Sequence, residues 1–206
     1  MMTNKVGTLI NYLDELLPNV GCELNYSKDY ELVIAVMLSA QTTDAAVNGV
    51  TAILFSKYPT LEMLNKASLE EIEAIIKPLG LYKNKAKNIV GICDKLINEF
   101  GGKVPSDKTE LQKLPGVGNK SAGVIRAEVF KIPDLPVDTH ILRITKRLKL
   151  ASLDDGPFET EIKLKKLIPE SRWIKTHHQL IHFGRYHCLA RNPKCDNCPL
   201  KQWCTK

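Results

Sequence analysis

The sequence predicts an all-α fold built from many short elements, and three observations carry that prediction. Apolar residues recur at helical spacing along most of the chain, whereas no segment shows the strict alternation of a half-buried strand. Capping residues precede several of these segments, and glycine or proline follows them. The balance of 44% apolar and 25% charged residues belongs to a folded globular chain rather than a disordered one.

Taken in order, MMTNKVGTLINYLDELL reads as an amphipathic helix over residues 8–17, because acids and polar residues interrupt its apolar stripe where a signal peptide would be continuous. Residues 30–41, YELVIAVMLSAQ, are apolar on nearly every side, as in a helix buried in the middle of a bundle. Their longest apolar run, LVIAVML, is far short of a membrane span, so no membrane partner is expected and the cytoplasm is the expected location. Thr42 and Thr43 are candidate caps for a helix over 44–58 that ends near Pro59. Ser68 and Glu71 have capping-box spacing and open a helix over 69–77, which Pro78 and Gly80 stop.

A long helix over 84–100 ends at Gly101 and Gly102, and Asp107 with Glu110 repeats the box for a short helix reaching Leu114. Further helices are predicted over 119–130, from Asp138 or Thr139 to about 148, over 158–167 and over 172–186. Two prolines in KIPDLP and a loop at LASLDDGP separate them. There is no repeat at solenoid spacing. The expected organisation is a helical domain over 23–133, containing a helix–hairpin–helix at about 107–130, and a second domain made from 1–22 and 134–206.

The net charge of +6 is unevenly spread. Residues 141–206 hold 14 Lys or Arg against 6 Asp or Glu, a balance of +8, while residues 1–140 hold 15 against 17, a balance of −2. A basic C-terminal third suits a polyanion, although a mild excess also serves solubility.

That same third ends in CLARNPKCDNCPLKQWC, where Cys188, Cys195, Cys198 and Cys204 are spaced to converge on one metal centre. Spacing leaves a structural zinc and a [4Fe-4S] cluster equally open. Disulfides fit a reducing compartment poorly. Arg185, Arg191, Lys194 and Lys201 flank the cysteines and could reach a phosphate backbone, whereas Cys22 and Cys93 read as small buried hydrophobes.

Within the first domain, between the predicted helices ending at Leu114 and beginning at Asn119, stands LPGVGNK, residues 114–120. Its glycines are too close for a phosphate-binding loop of nucleotide enzymes, and no strand precedes it. What remains is helix, hairpin, helix: Gly116 and Gly118 let the chain turn sharply, and the next helix, opening at Asn119, offers unpaired N–H groups to an anionic oxygen. With a basic C-terminal third, the expected anion is a nucleic-acid phosphate. Lys120 has two readings, one more phosphate contact or a nucleophile. A neutral amine can attack C1′ of a deoxyribose and form a Schiff base if burial or nearby charge lowers its pKa, and a carboxylate would assist. VDTH supplies Asp138, which also reads as a helix cap.

These stretches together resemble the bacterial endonuclease III family of helix–hairpin–helix DNA glycosylases. The likeness is carried by ELVIAVMLSAQTTD, GLYKNKAKNI, LPGVGNK, VDTH, HFGRYHC and the closing cysteines, in the family's order over nearly the whole chain. It implies a helical barrel domain and an iron–sulfur domain, with Cys188, Cys195, Cys198 and Cys204 holding a [4Fe-4S] cluster. It also implies that Lys120 is the Schiff-base nucleophile and Asp138 the catalytic carboxylate. Gln41 resembles the side chain that fills the gap left by a flipped nucleotide, and Leu81 the wedge beside the opposite base. Gly116, Gly118, Asn119 and Arg185 are the remaining candidate DNA contacts.

The implied activity is excision of oxidised or ring-saturated pyrimidines from duplex DNA with strand nicking by β-elimination, by a protein acting as a monomer. Alternatives are a monofunctional glycosylase for mismatched or alkylated bases, and a non-catalytic binder of damaged DNA. Where the family commonly has arginine before the hairpin lysine, this chain has Asn119, and Ser121 and Gly123 follow. One cation near the backbone is thereby lost.

Overall fold

The structure, a computed structural model, describes residues 2–206, with side chains described from residue 4 onward. Eleven α-helices are present among the described residues: α1 (Met2–Leu16), α2 (Asp29–Leu38), α3 (Asp44–Lys57), α4 (Leu61–Asn65), α5 (Leu69–Ile76), α6 (Tyr82–Asn98), α7 (Lys108–Leu111), α8 (Asn119–Phe130), α9 (Thr139–Arg147), α10 (Pro157–Leu167) and α11 (Trp173–Tyr186). Short 3-10 turns stand at Glu170–Arg172 and Lys201–Trp203, and no described residue is in a strand. The fold class is all-α. The chain divides into two compact units, a central one of Cys22–Phe130 and a terminal one that joins Met1–Gly21 to Lys131–Lys206.

In the central unit α2 is the axle. Leu32, Val33, Ile34 and Ala35 are fully buried, and the helix packs on α3, α6 and α8. Its start is fixed by Glu31, whose buried carboxylate accepts from the backbone N–H of Ser27 at 2.7 Å and Lys28 at 3.2 Å. The capping box at Ser68 and Glu71 forms as predicted. At Asp107 only half of it does: the aspartate accepts from the amides of Thr109 and Glu110, while the Glu110 carboxylate turns to Lys113 at 2.9 Å. Helix α4 was not expected from periodicity, since five residues hold too little of it; Thr60 caps it through the Met63 amide.

The terminal unit is a second core in which Leu9 and Leu13 of α1, Ile141 and Ile144 of α9, and Leu180 of α11 are fully buried. Gln179 closes α1 by donating to the carbonyls of Leu13 and Leu17, both at 3.1 Å. Asp14 receives Arg172 and Lys175, each at 2.8 Å, and these hydrogen bonds hold its carboxyl well below the usual range. Gly184 lets α9 and α11 approach closely, because a Cβ there would lie 2.7 Å from that of His140. Among the described residues no helix is long and apolar enough to cross a membrane.

Candidate functional site

The hairpin belongs to the central unit. Leu114 and Val117 are buried and anchor it, and the Val117 amide donates to the Leu114 carbonyl at 3.1 Å. The two glycines differ. Gly116 has φ +76°, and a Cβ on it would come within 2.6 Å of the Asn88 amide nitrogen and 2.8 Å of Met37 Cγ, so the turn requires glycine there. Gly118 has no such torsion, and a Cβ would meet nothing within 4 Å. The sharp turn expected of both therefore rests on Gly116 alone, and the space around Gly118 is open to something outside the chain. Its carbonyl accepts from the Ala122 amide at 2.9 Å, which opens α8, a helix start whose first-turn amides have no partner within the helix.

Asn119 and Lys120 are exposed at that helix start. Of the two routes expected to activate the amine, burial or nearby charge, the fold does not supply burial at Lys120.

Gln41 and Leu81 stand on two other loops of the same unit. Helix α2 ends at Leu38, three residues before Gln41, so the glutamine sits in a turn. Both residues have left-handed backbones, φ +56° and +58°, which costs a residue with a side chain about 1 kcal/mol or more. Leu81, the N-cap of α6, is 63% exposed and gains nothing from the core in return. Two strained residues presenting an amide and an apolar side chain to solvent are a signal that sequence periodicity does not carry.

The terminal unit holds Asp138, Arg185 and the cysteines. Asp138 is half-buried and caps α9, its Oδ1 accepting from the Ile141 amide at 2.8 Å. At His140 burial lowers the pKa from the usual histidine value and outweighs Asp138; Arg143 and Arg185 push the same way as burial, while a backbone bond at Gly184 opposes. Asp138, His140, Arg143 and Arg185 thus share one electrostatic neighbourhood.

Cys188, Cys195, Cys198 and Cys204 line one cavity with Arg147, Phe183 and Leu200, and none is in a disulfide. Burial pushes the Cys198 thiol up, a backbone bond at Leu200 opposes, and the other three cysteines raise it further. Thiols that oppose each other's ionisation are relieved by a shared cationic centre. The cavity brings the four cysteines together as one donor set. A cubane with one thiolate per iron fits that donor set.

What sequence reasoning missed is the strap around this loop. Arg147 donates to Cys188 Sγ at 3.2 Å, to the Leu189 carbonyl at 2.7 Å and to the Ala190 carbonyl at 3.0 Å. Arg143, one turn earlier, donates to the carbonyls of Gly184 at 2.8 Å and Cys188 at 3.0 Å. The Arg147 carbonyl accepts the Thr205 amide at 3.0 Å, so one residue ties both ends of the cysteine loop. The spacing of four between the arginines was the available clue. Cys93 is buried as expected, whereas Cys22 is only half-buried against the central core.

Comparison with known proteins agrees with this geometry. Residues 34–170 match the HhH-GPD superfamily base excision DNA repair protein family, and residues 188–204 match the iron–sulfur binding domain of endonuclease III. Endonuclease III of Bacillus subtilis (strain 168) is 47% identical over 95% of this chain and 89% of its own length. That of Escherichia coli (strain K12) is 40% identical over 95% and 92%. A solved structure of a trapped endonuclease III–DNA covalent intermediate superposes with a TM-score of 0.95 at 45% identity, covering 98% of this chain and 95% of the other. With its hairpin, its cysteine loop and this likeness along nearly all its length, the chain belongs to the endonuclease III family of the HhH-GPD base excision DNA repair superfamily.

Proposed function

We propose that this protein is a bifunctional DNA glycosylase and abasic-site lyase that removes oxidised or ring-saturated pyrimidines from duplex DNA. The observation that best supports the reading is the 0.95 TM-score likeness to a covalently trapped endonuclease III–DNA intermediate, in a chain with an exposed lysine at the hairpin helix start. Lys120, as the free amine, attacks C1′ while the glycosidic bond breaks and the base leaves with its electron pair. The ammonium of the resulting aminal loses a proton, and cleavage of the C1′–O4′ bond with a proton delivered to O4′ opens the sugar to a protonated Schiff base; this acidifies the C2′ proton, whose loss expels the 3′ phosphate, and water then hydrolyses the imine to release Lys120. Asp138 assists the first step, its negative charge balancing the cation that develops on the sugar. The half-buried carboxylate is already oriented by its bond to Ile141.

The central unit is read as the domain that engages DNA, with Gly118 and the α8 start on a phosphate and Gln41 and Leu81 entering the stack. Asn119 adjoins that phosphate without the charge an arginine would bring. The terminal unit is read as the cluster domain. Cys188, Cys195, Cys198 and Cys204 would hold a [4Fe-4S] cluster, whose contribution is to fix a loop otherwise poor in apolar residues so that Arg191 and Lys194 face the backbone, with Arg185 on α11 beside them in sequence. A monomer acting in the bacterial cytoplasm suffices.

Borohydride added during turnover tests the chemistry. The wild-type protein should give a covalent protein–DNA adduct and Lys120→Ala none, with nicking lost; a Lys120→Ala protein that still nicks abasic DNA at the normal rate would overturn the assignment.

A further inference from the structure

Lys85 is 4% exposed, an unusual position for an ammonium, and burial lowers its pKa with no charged neighbour contributing. Its Nζ donates to the Ala40 carbonyl at 3.0 Å and to Thr42 Oγ1 at 2.7 Å. The threonine hydroxyl in turn reaches the same carbonyl at 3.3 Å, closing a small ring of hydrogen bonds. The acceptors are the residues immediately before and after Gln41. A left-handed torsion in a non-glycine residue relaxes unless its flanks are fixed, and these two bonds fix both flanks.

The backbone of Lys85 is tied to Leu81 itself. Its backbone N–H donates to the Leu81 carbonyl at 3.1 Å, the first helical bond of α6 behind a cap that is itself left-handed. One residue therefore holds the only two loops in this unit that combine a strained non-glycine backbone with an exposed side chain. An apolar residue of equal length would fill the space without the desolvation cost.

We infer that Lys85 is a positioning residue that sets Gln41 and Leu81 at a fixed separation before DNA arrives, so that both enter the duplex together. This rests on the reading of Gln41 and Leu81 as the residues that enter the stack. Preorganisation places the ordering cost in folding rather than in binding, where it would otherwise weaken recognition of a paired lesion. A lesion that is already unpaired needs less of it, because less stacking has to be broken and replaced.

The test uses the full-length, cluster-loaded protein and two DNA probes carrying one dihydrothymine, the first in a fully paired duplex and the second in a single-nucleotide bulge. Single-turnover base release is measured at saturating protein, alongside thermal melting. Lys85→Met should slow release from the paired duplex about tenfold and from the bulge less than about threefold. Lys85→Arg should recover most of the loss. Should Lys85→Met fold poorly, Thr42→Val removes one of the two acceptors and should give the same selective slowing at about threefold. Equal slowing on both probes, or none on either, overturns the proposal. Gln41→Ala and Leu81→Ala run in parallel: if neither slows release from the paired duplex, the reading of those loops fails, whereas slowing by them without slowing by Lys85→Met sinks the Lys85 inference alone.

Discussion

Helix α2 and the cysteine loop are held in place by opposite means. The helix is fixed by burial: four consecutive side chains, Leu32 to Ala35, are fully enclosed, and a single carboxylate organises its start. The loop over 188–204 buries Leu200 in a core, with Trp203 and three of the cysteines packed only partly against it, and is gripped by arginine donors on its backbone and by whatever its four thiols share. The lesson is that a surface meant to meet a charged ligand can be made rigid without making it greasy. Apolar burial would have hidden the loop, whereas carbonyl-directed arginines leave its basic side chains outside.

The contrast can be broken from the loop side first. Cys198→Ser should abolish the brown visible absorbance of the cluster and reduce affinity for abasic duplex by more than about 100-fold, since metal binding and local folding are one equilibrium. Fluorescence anisotropy on an abasic probe checks it; unchanged affinity would mean that the loop is held by its straps alone. On the other side, Ile34→Ala should cost about 2–5 kcal/mol in denaturant unfolding, with the cluster absorbance of the native protein intact. A smaller loss would mean that α2 is less tightly packed than its burial implies.

Arg147→Met sharpens the comparison, because it removes the guanidinium that donates to Cys188, Leu189 and Ala190 while keeping most of the side-chain volume. Hydrogen exchange should report a drop of about 2 kcal/mol in local opening free energy around residues 188–190, with no change in α2. The smallest effect is electrostatic. Burial pushes the Cys93 thiol up from 9.0 to about 12 in the central core. Unfolded chains ionise this thiol from about pH 9 while the folded one keeps its proton, so its contribution is whole below that pH and is lost as pH rises toward 12. The stability difference between wild type and Cys93→Ala should narrow by about 1 kcal/mol on going from pH 9 to 10.

How much of this was legible differs by residue. The all-α class and most helix positions could be read because they depend on local periodicity and caps: α8 begins and ends at Asn119 and Phe130 as predicted, and Ser68 with Glu71 caps α5. Helix α6 begins at Tyr82, two residues before the predicted start, because Leu81 serves as a left-handed cap that no propensity announces. The cysteines were visible through spacing. Lys85 and Arg147 were not, since a lysine or arginine on a helix usually points to water, and only the three-dimensional partners show that these two point inward. Gly116 and Gly118 look alike in sequence and separate only when the neighbours of each are known.

One consequence follows from the cap that Asp138 places on α9. The oxygen that receives the Ile141 amide would still be there in an asparagine, so helix and chemistry can be parted by exchanging a single oxygen for nitrogen. On the role proposed for Asp138, a protein altered in that one group would keep its grip on a damaged duplex yet lack the charge proposed to balance the sugar cation, and so would serve as a reagent for collecting lesions instead of erasing them.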